Sequence, residues 1–388
     1  MIKKIKNFYH YILALRGKII YGNPSRKITV IGVTGTKGKT STVGLIATAL
    51  SACGHKVAMI SSVYIAIGDK KRLNTTENTM LGRGRAQKIL AEAVRAGCKF
   101  MVMEVSSLGV VQHRHRFIEW DAGVFMNIHP EHIEAHGSFE NYRRRKSDFF
   151  RYAAKSSKKH KAFFINKEDE SASYFAAAAH ENKKVFFSGS FFKANYAAAA
   201  AVAEHFNCDR KTVEKALESF GGIPGRMEAV IKEPFKVVVD YAHTAESLEQ
   251  AYKWVMLPSK ISHGDHKLIC VLGSAGGGRD KWKRSKMGAV AAKYCDELII
   301  TNEDPYDEDP TEIMEQLAEG AKRTGKDVIM ILDRQEAIDK AVSLARDGDT
   351  VIITGKGSER YIHLTKGKKL AWSDKEAAER AVRDKDKI

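Results

Sequence analysis

The stretch VIGVTGTKGKTS, Val30 to Ser41, sets three glycines, two lysines and a run of hydroxyls directly after a β-branched segment. Lys27–Val33 reads as a strand and Thr40 onward as a helix. The intervening loop would turn its amides, and the positive end of the helix dipole, toward phosphates. Gly35, Thr36, Lys37, Gly38, Lys39, Thr40 and Ser41 are the candidate contacts. Lys39 is placed to reach the outer phosphates and Thr40 to offer its hydroxyl to Mg²⁺. A strict phosphate loop has glycine at position 33, where this chain has Val33. Strand, Gly-Lys-Thr and helix together make this an ATP site.

Outward from the loop, strand-like and helix-like runs alternate, which predicts an α/β fold with parallel-rich sheets. One set of strands is KITVIGV, KVAMISSV, KFMVMEVSS and AGVFMNI, with helical stretches at Thr40–Cys53 and Gly82–Ala96. After the turn-rich Gly221–Gly225 comes a second set: FKVVVDYA, KLICVLGS, ELIITNED, DVIMILD and TVIITGKG. The expected organisation is an N-terminal arm (1–27), a P-loop NTPase-like central domain (28–222) and a Rossmann-like C-terminal domain (223–388).

With 388 residues and 44% hydrophobic content, the chain has enough apolar sequence for two such cores. The net charge of +17 raises nucleic acid, acidic lipid and small polyanions as partners. No RNA-binding signature or aromatic-interleaved basic stretch accompanies it, so no nucleic-acid partner is expected. Cys53, Cys98, Cys208, Cys270 and Cys295 form no CxxC pair and no zinc spacing, and are expected to be reduced, buried thiols. In the N-terminal segment, Ile2, Ile5, Tyr9, Ile12 and Leu13 recur at helical spacing. This is an amphipathic helix lying on a protein surface or on a membrane, and no stretch is long enough to span a bilayer.

Seven further stretches carry a resemblance. They are NTT (Asn74–Thr76), MEVSSLGVVQHR (Met103–Arg114), HPEHIEAHGSFENYRRRK (His129–Lys146), PGRME (Pro224–Glu228), DYAHTAESLE (Asp240–Glu249), GGGRDKWKR (Gly276–Arg284) and GKGSE (Gly355–Glu359). With TGTKGKTS they resemble, in order, the Mur ligase family of ATP-dependent amide-forming enzymes, and most of all its UDP-N-acetylmuramoyl-tripeptide synthetase branch. The resemblance implies that ATP phosphorylates an acceptor carboxylate and that an amino acid's amine attacks the acyl phosphate. Positioning and charge neutralisation dominate such chemistry.

What the resemblance implies for residues is specific. Lys39, Glu104, His132, Lys146 and Arg226 would be the catalytic set. Thr40, Glu104 and His132 would hold Mg²⁺ together with a CO2-derived carbamate on Lys146. Neighbouring Arg143, Arg144 and Arg145 would favour the neutral amine that carbamoylation needs, if close in space. Read without the family, Lys146 is surface charge, Glu104 a strand-end carboxylate and His132 a loop histidine. Asn195 would contact the adenine side, Asp240 the ribose, and Arg226 the phosphates. Thr75, Thr76, Ser107, Gln112 and Arg114 would hold the acceptor, a nucleotide-sugar peptide.

Departures from the family pattern matter as well. About thirty residues precede the phosphate loop, too few for a domain holding the uridine end of the acceptor. Leu108 stands where histidine is usual and Phe192 where asparagine is usual. Ligases that add meso-diaminopimelate carry Asp-Asn-Pro-Arg, whereas this chain reads Glu303-Asp304-Pro305-Tyr306, then Asp307, Glu308 and Asp309. The acidic run predicts an added amino acid with a distal amine, such as lysine or ornithine. Arg279, Asp304, Tyr306, Gly355 and Glu359 would form its pocket. A cytoplasmic monomer without stable membrane insertion is expected. An acceptor other than a UDP-sugar, of poly-amino-acid or pseudomurein type, and a noncatalytic nucleotide-binding relative are the competing readings.

Overall fold

The computed structural model describes residues 2–257 and 266–385, excepting the side chains of residues 2–6 and Phe191. It divides into two compact units, Met1–Gly221 and Gly222–Ile388.

The first unit is built on an eight-stranded sheet. Its strands are β1 (Thr29–Thr34), β2 (Val57–Ile60), β3 (Tyr64–Ile67), β4 (Lys70–Leu73), β5 (Phe100–Glu104), β6 (Ala122–Phe125), β7 (Ala162–Asn166) and β8 (Lys183–Phe187), in the order β4-β3-β2-β5-β1-β6-β7-β8. The six strands from β2 to β8 run parallel, and the β3–β4 hairpin adds an antiparallel edge. Central β1 is flanked by β5 and β6, with Val33 opposite Glu104 and Val124. Both faces of β1 are covered, which is why TVIGVT is a continuous apolar run and not an alternating one. One core packs Val30, Met101, Met103, Trp120 and Phe149. The other, beneath helix α2 (Lys39–Ala52), packs Ile31, Val33, Leu45, Ile46 and Val102.

Helix α1 (Ile2–Ile20) precedes this sheet, followed by a 3-10 turn at Pro24–Lys27. Of the apolar positions read in it, Ile2 and Ile5 lie outside the described side chains. Helix α3 (Arg85–Arg95) covers one face of the sheet, and α4 (Ser107–Val111), α5 (Ile133–His136) and α6 (Phe139–Ala154) follow. The Ala-rich helix spans Phe191–His205, and Ala194, Ala198, Ala199 and Val202 are buried in the α2-side core.

The second unit has a six-stranded sheet of β9 (Glu228–Ile231), β10 (Lys236–Asp240), β11 (Leu268–Leu272), β12 (Glu297–Ile300), β13 (Ile329–Met330) and β14 (Thr350–Thr354), ordered β13-β12-β11-β14-β10-β9. All are parallel except edge strand β9. The carboxyl ends of β10, β11, β12 and β14 lead into the loops holding Tyr241, Gly276–Arg279, Glu303–Tyr306 and Gly355–Glu359. That is the edge at which open parallel sheets bind ligands.

One expectation fails here. Cys270 and Cys295 are joined in a disulfide within the second unit, so the five cysteines are not all free thiols. Cys270 lies mid-strand on β11 and Cys295 just before β12, neighbouring strands whose pairing brings the two together. Cys53, Cys98 and Cys208 are free.

Candidate active site

The phosphate loop is held in shape from several sides of the first unit. Asn127, just beyond β6, accepts from the Lys37 amide at 2.9 Å and donates to the Lys37 carbonyl at 3.2 Å. Thr36 donates its amide to the Asn127 carbonyl, shares a 3.1 Å hydrogen bond with the Tyr142 hydroxyl, and accepts from the His129 amide. Gly38, at φ 81°, sits in the left-handed region just before α2. A Cβ there would lie 2.4 Å from Asn195 Oδ1.

That contact gives Asn195 a structural role. Its Oδ1 accepts from the Thr42 hydroxyl at 3.1 Å and presses on Gly38, so the residue braces the phosphate loop. Lys39 folds back on its own loop, donating to the carbonyls of Gly35 at 3.0 Å and Thr36 at 2.9 Å. Incoming phosphate oxygens would replace those carbonyls as its partners. Thr40, in the first turn of α2, is buried, and Ser41 follows it half-exposed.

Lys146 is the decisive residue. It projects from α6, is fully buried, and donates to the Gly35 carbonyl at 2.6 Å. Burial, reinforced by the positive charges of Lys39 and Lys37, holds its amine well below the ordinary lysine value, although Glu131 and Glu104 oppose the shift. The expected cause was different. Arg144 bonds Asn141, Arg145 pairs with Asp148, and Arg143 lies over the rings of Tyr174 and Phe139. The three thus have other partners, and the leading positive charges on Lys146 are the lysines of the phosphate loop. The unshared pair on an unprotonated amine is what attack on CO2 requires.

Around Lys146 stand Glu104, His132 and Glu131. Glu104 ends β5, buried, and accepts from the Ser62 amide at 2.6 Å and the Ser62 hydroxyl at 3.0 Å. His132 caps α5 with φ 56°, and burial lowers its pKa, with Lys146, Lys37 and Lys39 adding to the effect against Glu131. A neutral imidazole is the form that ligates a metal. Glu131, a residue not singled out from sequence, is buried and pairs with Lys37 at 3.0 Å. It lies inside the quoted HPEHIEAH stretch, so the signal was present; only its partner was not.

Among the described residues no group of three or more His, Cys, Asp and Glu side chains is arranged to hold a metal. Glu104 and His132 therefore need further oxygen donors. The Thr40 hydroxyl and a modified Lys146 are the candidates, and the burial and lowered pKa of the Lys146 amine suit that modification.

The acceptor candidates occupy one region of the first unit. Asn74 organises NTT, accepting from the Thr76 amide and hydroxyl and donating to the Ser61 carbonyl, with Thr75 between them. Ser107 opens α4 and shares a 3.1 Å hydrogen bond with His136. Arg114 donates to the Asn78 side chain at 2.9 Å and to the Met80 carbonyl. Its Nε and the Gln112 Oε1 are buried without a partner.

In the second unit, Arg226 donates to the Gly225 carbonyl and lies 4.1 Å over the Tyr241 ring. Asp240, at the end of β10, accepts from the amides of Met227 and Ala242, both at 2.8 Å, and so fixes the PGRME turn. Arg279 reaches the Tyr306 hydroxyl at 2.9 Å, and Tyr306 stacks on His363.

The acidic run does not form the expected cation seat. Asp304 pairs with the buried Lys356 at 2.7 Å, Asp307 accepts from Thr365 and the Lys366 amide, Glu308 pairs with Arg284 and Lys281, and Asp309 caps the helix Pro310–Lys322. Glu359 accepts from Lys356 and Tyr241. Only Glu303 keeps an oxygen, Oε2, buried and unpartnered, packed against Gly355. Burial, with Asp304 adding to it, pushes its carboxyl up to about 7.

Comparison with known proteins accords with this geometry. Residues 33–229 match the Mur ligase middle domain and residues 225–357 the Mur ligase, glutamate ligase domain. The UDP-N-acetylmuramoyl-L-alanyl-D-glutamate–2,6-diaminopimelate ligase of Syntrophomonas wolfei is 33% identical across 96% of this chain and 82% of its own length. A solved structure of a ligase with that same name superposes with a TM-score of 0.60 at 27% identity, over 92% of this chain and 79% of that one. Mycobacterium tuberculosis folylpolyglutamate synthase shares the fold, with a TM-score of 0.71 at 16% identity over 89% and 92% of the two chains. The chain belongs to the Mur ligase family.

Proposed function

We propose that the protein is an ATP-dependent ligase that joins an amino acid to the carboxylate of a muramoyl-peptide through an acyl phosphate. The observation that carries this reading is the buried Lys146, set against the phosphate loop among Lys37, Lys39, Glu104, Glu131 and His132, with its pKa held well below the ordinary lysine value by that burial. A nucleotide-binding protein without ligase chemistry gains nothing from burying a lysine there.

The loop amides and Lys39 bind and orient the ATP phosphates. The neutral Lys146 amine adds to CO2 and releases a proton, giving an anionic carbamate. Thr40, Glu104, His132 and that carbamate would hold Mg²⁺, which when bound neutralises charge on the transferring phosphoryl group. Thr75, Thr76, Ser107, Gln112 and Arg114 hold the acceptor, and the unpartnered Arg114 Nε suits a carboxylate or phosphate oxygen. In the second unit Arg226 and Asp240 serve the nucleotide. Arg279, Tyr306 and the Gly355–Glu359 loop serve the amino acid.

For that amino acid, the engagement of Asp304, Asp307, Glu308 and Asp309 removes the basis for lysine or ornithine. Arg279 supplies a cation for a distal carboxylate, which favours 2,6-diaminopimelate, the amino acid named for the relatives. We place the enzyme in the cytoplasm as a monomer; no described helix is long and apolar enough to cross a membrane.

The test is ADP and phosphate release over a matrix of acceptors and amino acids, with mass spectrometry of the products. UDP-linked muramoyl-dipeptide, poly-amino acids, meso-diaminopimelate, lysine and ornithine are the arms. Release with no acceptor dependence would refute ligation, and a preference for lysine would overturn the amino-acid assignment. A carbamate signal from ¹³C-bicarbonate that persists in Lys146→Met would remove the modification from that residue.

A further inference from the structure

Helix α1 presents two unlike faces. Its inner face is fitted to the first unit: Ala14 and Gly17 are buried, and a Cβ on Gly17 would lie 2.7 Å from Gly84 Cα. Tyr11 packs edge-on against His113 and Phe117, at 5.6 and 5.0 Å between ring centroids. The outer face carries Phe8, Tyr9, Ile12, Ile19 and Ile20, exposed at 66, 54, 42, 71 and 57%. At about 100° per residue all five fall in one sector of about 120°. Arg16, also exposed, lies in the same sector.

We propose that this outer face lays the protein on an anionic lipid bilayer. The helix sequence IKKIKNFYHYILALRGKII contains five lysines and arginines and no acidic residue. A stripe of large apolar and aromatic side chains, on a helix whose charged residues are all basic, is what an interfacial helix needs. The apolar groups enter the headgroup–acyl boundary while the bases meet the phosphates. A second copy is a poor occupant, because pairing two such faces brings Arg16 and its neighbouring bases against like charges. The helix would lie in the plane of the surface, as none of the described helices meets the requirements of a span.

The placement has a consequence for the first unit. His113 and Phe117, against which Tyr11 packs, bracket the segment that carries Arg114. Docking would hold that segment roughly one helix diameter, about 10 Å, from the bilayer.

The experiment is co-sedimentation of the full chain with vesicles of phosphatidylglycerol mixed with phosphatidylcholine, against phosphatidylcholine alone. The comparison variant is Ile12→Glu/Ile19→Glu, two exposed positions whose exchange leaves the packed inner face intact; circular dichroism melting verifies its fold. The parent should partition onto the anionic vesicles at least about tenfold better than the variant, and its binding should weaken as salt rises. Equal sedimentation of parent and variant would overturn the proposal, as would equal binding to neutral vesicles. A parent dimer that the double substitution converts to monomer, with no vesicle binding by either, would assign the face to a second copy instead.

Discussion

Glu303→Gln tests the electrostatics of the second unit most directly. Glu303 is buried in the loop that follows β12, with one carboxylate oxygen unpartnered and packed against Gly355. Burial and the neighbouring Asp304 raise its carboxyl from an ordinary 4.5 to about 7, against the pull of Lys356 and Arg334. Between those two values the native state holds a proton that the unfolded state has released. Native stability must therefore fall as pH rises through the window. At 1.36 kcal/mol per pH unit the whole effect is about 3 kcal/mol, and about 2.5 kcal/mol of it falls between about pH 5 and pH 8. Glutamine cannot ionise, so the variant lacks this loss. The assay is urea unfolding followed by tryptophan fluorescence at a series of pH values. Trp254, Trp282 and Trp372 lie in the second unit, so the signal reports chiefly on it. The stability of the parent minus that of the variant should decline by about 2–3 kcal/mol across the range. A flat difference, or one that grows with pH, would refute the argument that Glu303 is held protonated.

Three further outcomes are expected. Lys146→Met should abolish ligation while leaving ATP affinity within about threefold. In CO2-depleted buffer, where Lys146 is a free amine, the substitution should also stabilise the first unit, since a buried amine with a depressed pKa costs stability at neutral pH; fluorescence-detected binding and thermal melts measure both. Gly38→Ala should weaken ATP binding at least about tenfold, because alanine must adopt φ 81° and meets Asn195 at 2.4 Å; calorimetry with a nonhydrolysable ATP analogue reads this. Arg279→Ala should raise the KM for the amino acid about tenfold or more and leave the KM for ATP unchanged, a split that steady-state kinetics resolves.

The parts of this molecule legible in sequence are those whose cause is local. β1, β5 and β6 are buried on both faces, so their apolar runs announce strands, and the phosphate loop's elements are contiguous in the chain. The β3–β4 hairpin was missed because β4 is KKRL, exposed at every position, and carries no apolar period at all. Edge strand β9, only four residues long and largely half-exposed, was missed for a similar reason. The site divides along the same line. Lys146 was found through its motif, but what lowers its pKa was not: burial dominates, the added positive charges come from the phosphate loop, whose Gly35 lies 111 residues away in sequence, and the adjacent arginines that seemed responsible have other partners.

The acidic run Glu303–Asp309 shows why local charge is a poor guide to specificity. Seven residues with five carboxylates look like a cation seat when read alone. Each carboxylate's meaning depends on what the fold brings to it, and four of the five find donors within the second unit: Lys356, the Thr365–Lys366 turn, Arg284 with Lys281, and the first turn of a helix. Those donors lie between 2 and 59 residues away, and only the helix cap is visible in the local pattern. Once they are engaged, an incoming ammonium would have to displace an existing cation or hydrogen bond to reach any of them. The charge beside Tyr306 that has no ion-pair partner among the described residues is then the guanidinium of Arg279, exposed and hydrogen-bonded to the Tyr306 hydroxyl. The proposed selectivity for a distal carboxylate thus rests on which charges remain without an ion-pair partner after folding, and not on which are most numerous in the chain.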